Sequence, residues 1–577
     1  MKKKILTVSV IIACLLGAYA AYLFQSNKKN TSSNNSAEIT DSIEAKGNLN
    51  TDNQIAEEET DEFAPVEVKE EKFTGILDMN NWKFNENDGI YYQTGIYYAQ
   101  SSLNSAYQKM ALFVPEKYLR CEKQEGERYS CVPNMAAIIG RYTVRTAPIV
   151  SVINSPDYKA EQALSEYRPF KDFTDAGFIY AHIGFRGIET GAPAGVTDIK
   201  AAIRFIKYNS ERIPGNTDSI YLLAANEGSV LASTVAASGN DRSYQPYLQQ
   251  IGALSNVNDS VKGIMLVNPI SGLDTANEAV EWFFSNDRQG IDEQQKKISE
   301  KMAKEYADYI NRAGFIGSDN KALTLQYTSK GIYQDGTYYD YLKNIIEGSL
   351  TMFFSRNTFP YRVPKSWEIS EETAAKTGSI KLTGTYQTKR KFFDDLNSKK
   401  TWIIDRPIVG LSVSSVRDFL NAIQLKQLPM AYYDKPQKDG KENILFGINN
   451  QSTHFDEYTA KIFKNTPQGR KAENDLYKRD IAGNTTTMRV NMYNPLYYLV
   501  SSYDGYNTST VAPLWKIRAG LWQTSTILPT SVNLFLAVKN YPGVKEVNYE
   551  AVWGMGDIKE ISPKDKKDFI SWISEKR

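Results

Sequence analysis

Leu222-Leu223-Ala224-Ala225-Asn226-Glu227-Gly228-Ser229 is the stretch of this 577-residue chain where catalysis would be expected to sit. An apolar, strand-like run from Ser219 to Ala225 leads into it. The small residues from Gly228 to Ser238 lead out, and they suit a helix packed close to a sheet. A sharp strand-to-helix turn of this kind, in the pattern G-x-S-x-G, raises a serine above the carboxyl edge of a parallel sheet, with backbone N–H groups beside it for an oxyanion. Here the placement is right and the hydroxyl is missing, because Asn226 stands where the serine would be. An amide has no hydroxyl to activate. The neighbouring Glu227 is the other conceivable nucleophile, a carboxylate, but it would still need a base to activate water.

That base is hard to find. The chain has two histidines, His182 and His454, so an imidazole base or a multi-histidine metal site has little to draw on. His182 lies in the apolar run Gly177 to Ile183, and the plain reading is a strand-end histidine with a satisfied ring. His454 adjoins Asp456 and Glu457, yet adjacent residues point in different directions and no third ligand is evident. Gly410-Leu411-Ser412-Val413-Ser414 also approximates the serine turn but lacks the second glycine. It reads as a helix start, with Ser415 as cap and Asp418 three residues on. The three cysteines, Cys14, Cys121 and Cys131, cannot supply a zinc finger. Neither a metal nor another cofactor is expected.

The elements that would position these residues alternate. Ile149 to Ile153 and Gly177 to Ile183 read as buried strands. Val196, Ile199, Ala202, Ile203 and Ile206 form a helical stripe, with Asp198 and Lys200 off it. Strands follow at Ser219 to Ala225, Lys262 to Ile270 and Val547 to Trp553, and a terminal helix at Lys564 to Ile573. This rhythm predicts an α/β fold with a mostly parallel sheet and helices on both faces.

The amino-terminal part is different. Lys2, Lys3 and Lys4 precede Ile5 to Phe24, twenty residues without a charge, about the length that crosses a bilayer. Residues 1–27 thus read as a signal anchor at the cell membrane, with a cleaved signal peptide (Ala18-Tyr19-Ala20) and a lipoprotein at Cys14 as alternatives. Each puts the remainder outside the cytoplasm. Residues 28–72 read as a disordered acidic linker. Residues 1–72 hold eight lysines and twelve acids, and removing that −4 from the chain's +1 leaves +5 on the body. Such a weak charge, with no basic block, excludes sequence-independent nucleic-acid binding. In an exported chain Cys121 and Cys131 are expected to close the polar loop between them, the other reading being two free thiols.

Residues 75–577 resemble the bacterial tannases, α/β-hydrolases related to feruloyl esterases. The likeness rests on Gly184-Phe185-Arg186-Gly187, on Ala192-Pro193-Ala194-Gly195-Val196-Thr197-Asp198, on Ile213-Pro214-Gly215-Asn216, on Tyr244-Gln245-Pro246-Tyr247-Leu248, on Glu442-Asn443-Ile444-Leu445-Phe446-Gly447 and on Trp515-Lys516-Ile517-Arg518-Ala519-Gly520. It implies an α/β-hydrolase domain over 73–577 with a large cap insertion at about 275–490. It also implies three triad positions, and all are substituted. The nucleophile falls on Asn226. The acid, in a motif like R-H-G-x-x-D-R-D, falls on Gln523, and the motif's second Asp falls on Ser525. The base histidine, in a motif like W-x-x-G-H, falls on Asp557. Gly228, Gly520 and Gly556 stay in place around them. The resemblance therefore implies a catalytically inactive homologue, or an ester hydrolase of non-standard mechanism, with Glu227 and Ser525 as pocket candidates. It implies a small phenolic ligand, which the tyrosines Tyr338, Tyr339, Tyr341, Tyr432 and Tyr433 of the cap could stack upon if they are not simply its core.

Overall fold

Short β-branched and apolar runs pair here into one nine-stranded sheet. The computed structural model describes residues 73–576, apart from 102, 105, 285–287, 289, 329–332, 368–379, 407–409, 424–426, 450 and 466. The apolar run Ile5 to Phe24, Cys14 and the acidic stretch 28–72 lie outside the described residues, in which no helix is long and apolar enough to cross a membrane.

The strands are β1 (Lys83–Asn85), β2 (Ile90–Tyr97), β3 (Lys109–Pro115), β4 (Leu119–Lys123), β5 (Tyr129–Pro133), β6 (Pro148–Ile153), β7 (Ile179–Ile183), β8 (Asn216–Ala225), β9 (Gly263–Val267), β10 (Leu514–Gly520) and β11 (Glu546–Val552). β4 and β5 form a separate hairpin, and the sheet order is β1-β2-β3-β7-β6-β8-β9-β10-β11. The first three strands are antiparallel, and pairing is parallel from β7 across to β11. This is the mostly parallel α/β sheet that the sequence predicts. The helices that matter below are α1 (Ala194–Tyr208), α2 (Gly228–Ala237), α3 (Ala276–Phe284), α4 (Glu293–Ala313), α5 (Leu528–Asn540) and α6 (Pro563–Glu575). One strand ends early: β9 stops at Val267 rather than Ile270, because Asn268 turns left-handed (φ 49°) just before Pro269.

Between β9 and β10 the chain leaves the sheet for a long insertion that includes α3, α4 and the helix Thr337–Arg356. It shares one continuous apolar core with the sheet. Tyr338 belongs to that core: it is buried, and its hydroxyl donates to Asn533 Oδ1 on α5 at 2.6 Å. Tyr339 accepts from the Val416 backbone N–H at 3.0 Å, at the start of the helix Val416–Ile423. That helix begins as expected, with Ser415 Oγ accepting from the Asp418 N–H at 2.9 Å. In the β4–β5 hairpin Cys121 lies directly opposite Cys131, and the two form a disulfide.

The stripe reading of α1 needs correcting. Asp198 and Lys200 lie off the apolar stripe, yet both are fully buried, because the helix is covered on every side from Ala194 to Ile206. Burying a charge is costly unless it is paired and hydrogen-bonded. Asp198 accepts from Arg186 Nε and Nη2, each at 2.8 Å, and from Gln108 Nε2 at 3.0 Å. Lys200 donates to Asp259 Oδ1 at 2.9 Å and to the Ser238 carbonyl at 2.6 Å, while Arg204 donates to Asp259 Oδ2 at 2.9 Å. Asp259 thus serves two buried cations. Replacing it by alanine should cost about 3–5 kcal/mol of stability in urea unfolding, because both cations are left buried and unpaired. A loss below about 1 kcal/mol would mean that they reach water instead.

Candidate functional site

The carboxyl edge of the parallel strands brings to the same end of the sheet the three positions onto which the tannase resemblance carries a triad, since each follows a strand. Asn226 follows β8, Gln523 follows β10 and Asp557 follows β11. Asn226 sits at φ 47°, in the left-handed region that asparagine enters more readily than most residues. Its backbone N–H donates to the Val267 carbonyl at 3.2 Å. Two residues on, a Cβ on Gly228 would come within 2.4 Å of the Ile153 carbonyl, so α2 can begin this close to β6 only from a glycine. The turn is a nucleophile elbow in backbone, with an amide at its apex.

That amide is engaged. Asn226 Nδ2 donates to the Ile558 carbonyl at 2.8 Å, tying the elbow to the loop after β11. Asp557, the residue before, is engaged elsewhere. It accepts from the Ser525 N–H at 2.9 Å, from Ser525 Oγ at 2.8 Å, and from the N–H and hydroxyl of Thr524. Partial burial acts to raise its pKa, but the Thr524 and Ser525 donors outweigh it and hold the carboxyl below its usual range. A carboxylate so stabilised is a poor proton acceptor. Gln523 is buried, and neither its carbonyl oxygen nor its amide nitrogen has a hydrogen-bond partner among the described residues. No hydrogen bond joins Asn226, Gln523 and Asp557 to one another among those residues.

The two pocket candidates are also committed. Ser525 is held by Asp557, and its carbonyl accepts from Tyr433 Oη at 3.1 Å. Glu227 is buried in an ion pair with Lys441. Lys441 also lies 3.6 Å from Asp157 and over the Tyr158 ring at 5.7 Å. A carboxylate paired with an ammonium is a weakened nucleophile, which counts against Glu227 as an elbow nucleophile. Next along the chain Glu442 is buried, and burial pushes its carboxyl from an ordinary 4.5 to about 7, although Lys441 acts to lower it.

Nothing in the sequence singles out Lys441, Tyr158 or Asp157, since Lys441 meets Glu227 across 214 residues with no motif to announce it. Asn268 reads in sequence only as a strand end. Its side chain accepts from the Gly520 N–H at 2.8 Å and donates to the Gly556 carbonyl at 3.0 Å, holding the end of β10 and the loop after β11 together. The insertion covers this edge with aromatic rings. Trp367 packs against Trp522 with centroids 4.7 Å apart, and Trp402 and Phe419 lie against Trp553. Gly554 (φ 73°) must be glycine, because a Cβ there would collide with the Trp367 ring.

The histidines are structural. His182 Nε2 lies 2.8 Å from the Gln162 carbonyl, and burial lowers its pKa. His454 Nδ1 lies 2.8 Å from Asp434, and no group of His, Cys, Asp or Glu among the described residues could hold a metal ion.

Comparison with known proteins agrees with this geometry. The BD-FAE family model, feruloyl-esterase-like, matches residues 147–320, which span the elbow. The fold is similar to that of the tannin acyl hydrolase from Lactobacillus plantarum in its native structure, at 20% identity over 84% of this chain and 94% of that one, with a TM-score of 0.60. It is similar to the Fusobacterium nucleatum tannase at 22% identity over 84% and 94%, with a TM-score of 0.61. It is likewise similar to a tannin acyl hydrolase in complex with ethyl gallate, at 20% identity over 84% and 94%, with a TM-score of 0.59. No curated protein sequence matches the chain. These likenesses establish the α/β-hydrolase fold and support the tannase and feruloyl-esterase resemblance.

Glu442 gives the site a pH signature. An acid whose folded pKa is raised binds more protons folded than unfolded, so the stability it contributes is complete below about 4.5 and lost as pH rises through about 7. Glu442→Gln should therefore leave stability at pH 5 nearly unchanged and raise it at pH 8 by on the order of 2 kcal/mol. Urea unfolding at both pH values checks this, and an equal effect at both would show that Glu442 does not titrate in that window.

Proposed function

We propose that the protein is a binding protein on a tannase-like hydrolase scaffold, exported and held at the membrane by its amino-terminal segment, that does not cleave esters. The observation that carries this reading is the commitment of the former catalytic groups. The Asn226 amide is spent on the Ile558 carbonyl, and the Asp557 oxygens on Thr524 and Ser525. At the positions where the resemblance puts the nucleophile and the base, neither a hydroxyl nor an imidazole stands, and the backbone N–H groups of the turn would stabilise an oxyanion only if Glu227 and Glu442 supplied that chemistry. Tethering rests on the basic start and the uncharged run Ile5 to Phe24.

The ligand that fits this reading is a small phenol. A structure of similar fold is in complex with ethyl gallate. On this chain Tyr432 and Tyr433 lie beside Lys441, Glu227 and Glu442, an aromatic and hydrogen-bonding set suited to a hydroxylated ring. The second reading, an ester hydrolase using Glu227, is favoured by the feruloyl-esterase-like family match over 147–320. It needs Lys441 to release the carboxylate first.

The purified chain given methyl gallate and methyl ferulate should release no more acid than a heat-inactivated sample. Free gallate should raise its melting temperature, since a ligand at about 100 times its Kd stabilises the native state by about 2.7 kcal/mol. Turnover that disappears in Asn226→Ala or Glu227→Ala would overturn the binding reading in favour of the hydrolase.

A further inference from the structure

Away from the elbow, the excess positive charge of the body is concentrated in one short stretch. Residues 461–479 hold six bases, Lys461, Lys464, Arg470, Lys471, Lys478 and Arg479, against two acids, Glu473 and Asp475. Six less two is +4, nearly all of the +5 that the body carries. All six bases are exposed, whereas Glu473 is half-buried and Asp475 buried. Lys461, Lys464 and Lys478 pair with Glu305, Glu473 and Asp475. Arg470 and Lys471, on the helix Pro467–Leu476, are in no ion pair among the described residues.

Large apolar side chains stand in water beside these bases. Tyr477 is 69% exposed, Ile481 86% and Met488 45%. Ile481 is held out by a braced turn. Asp480 Oδ1 accepts from the N–H groups of Ala482 and Asn484, each at 3.0 Å, and the Asp480 N–H donates to the Asn484 carbonyl at 3.0 Å. Tyr247 ties the turn to the body, its hydroxyl donating to Asp480 Oδ2 and accepting from Asn484 Nδ2 at 2.8 Å. Scattered apolar residues on a surface are ordinary, but three within residues 477–488, on a turn fixed in this way and flanked by bases, point to a contact surface. Beside the turn a cleft of about 230 Å³ is lined by Lys478, Arg479, Asn449 and Gln451, cationic and amide donors that suit a phosphate.

We propose that the face carrying Ile481, Arg470 and Lys471 docks on a phospholipid membrane with anionic headgroups. Ile481 and Met488 enter the interface, Tyr477 lies at headgroup level, and the bases meet the phosphates. Bases alone would suit a soluble polyanion, and an apolar tip alone would suit a groove in another protein. A membrane interface takes both together, because buried apolar area and attraction to anionic lipid add. The proposal rests on the tethered reading above in one respect, that the amino-terminal run brings a membrane within reach. The 48 residues from Gln25 to Lys72 can extend over roughly 160 Å, enough for this face to meet it.

The test places the full chain in nanodiscs of phosphatidylcholine, with or without about one-third phosphatidylglycerol. A bimane on Ile481→Cys, in a Cys14→Ser background, reports contact with lipid doxylated near the headgroup end of its acyl chain. The site is 86% exposed, so the substitution leaves the core untouched, and the Cys121–Cys131 disulfide takes no label. Quenching should be strong with phosphatidylglycerol and about tenfold weaker without it. Replacing Arg470 and Lys471 together by glutamine should lower the docked-to-undocked ratio by about thirtyfold, since each base near an anionic surface is worth about 1 kcal/mol. Equal quenching in the two compositions, an unchanged ratio in the double variant, or no quenching in either composition, which would leave the bases to a soluble polyanion, would each overturn the assignment. A chain that washes out of phosphatidylcholine nanodiscs would sink the tether alone, and quenching on added phosphatidylglycerol vesicles would then decide the docking face.

Discussion

The burial of α1 constrains everything around it. A helix at the centre of a parallel sheet's face is covered on all sides, and this one carries an acid and two bases at positions 198, 200 and 204. Each must be met by a partner from elsewhere in the chain. Arg186, after β7, meets Asp198, while Asp259, before β9, meets Lys200 and Arg204 and also accepts from the Asn240 N–H at 2.7 Å after α2. Burial opposes ionisation of Asp259, and the two cations outweigh it, so its carboxyl is held below the ordinary range. Charges of this kind add little net stability over a well-packed apolar core, but they permit one arrangement of the loops that bear them. Those loops lead directly to the strand ends where the elbow and its neighbours sit.

The elbow shows that backbone and side-chain requirements separate. The turn needs a residue that tolerates φ 47° and a glycine where α2 passes the Ile153 carbonyl. Asn226 and Gly228 satisfy both. Nothing in that geometry requires a hydroxyl, so the backbone of the turn does not depend on a serine at its apex. The amide goes further and contributes a hydrogen bond to the loop after β11 that a serine would reach less readily. Asp557 and Asn268 act in the same direction, each knitting strand-end loops to one another.

What could be read from the sequence follows the range of the interaction. Strands β6, β7 and β8 and helices α1 and α2 announce themselves through local periodicity, and the Ser415–Asp418 cap and the Cys121–Cys131 loop span only a few residues. The family resemblance places Asn226, Gln523 and Asp557 at strand ends, where the structure has them. The side-chain partners are not legible. Lys441 reaches Glu227, and Asp557 reaches Thr524 and Ser525, across separations for which a single sequence has no signal. Asp198 and Lys200 look solvated because the stripe argument assumes one dry face, and α1 is buried all round from Ala194 to Ile206.

Charge compensation distinguishes the elbow from the surroundings of α3 more sharply than shape does. At the elbow Glu227 has Lys441, and Asp557 has the donors of Thr524 and Ser525. Around α3 the opposite holds. Asp274, Glu278 and Asp456 are buried with Arg312 as the nearby cation, and burial raises all three carboxyls above their ordinary range. Glu442, beside Lys441 and Glu227, is raised in the same way, so the imbalance reaches the edge of the elbow. The strand-end turn keeps the backbone geometry of a hydrolase elbow, with the Asn226 and Glu227 side chains engaged by the Ile558 carbonyl and Lys441.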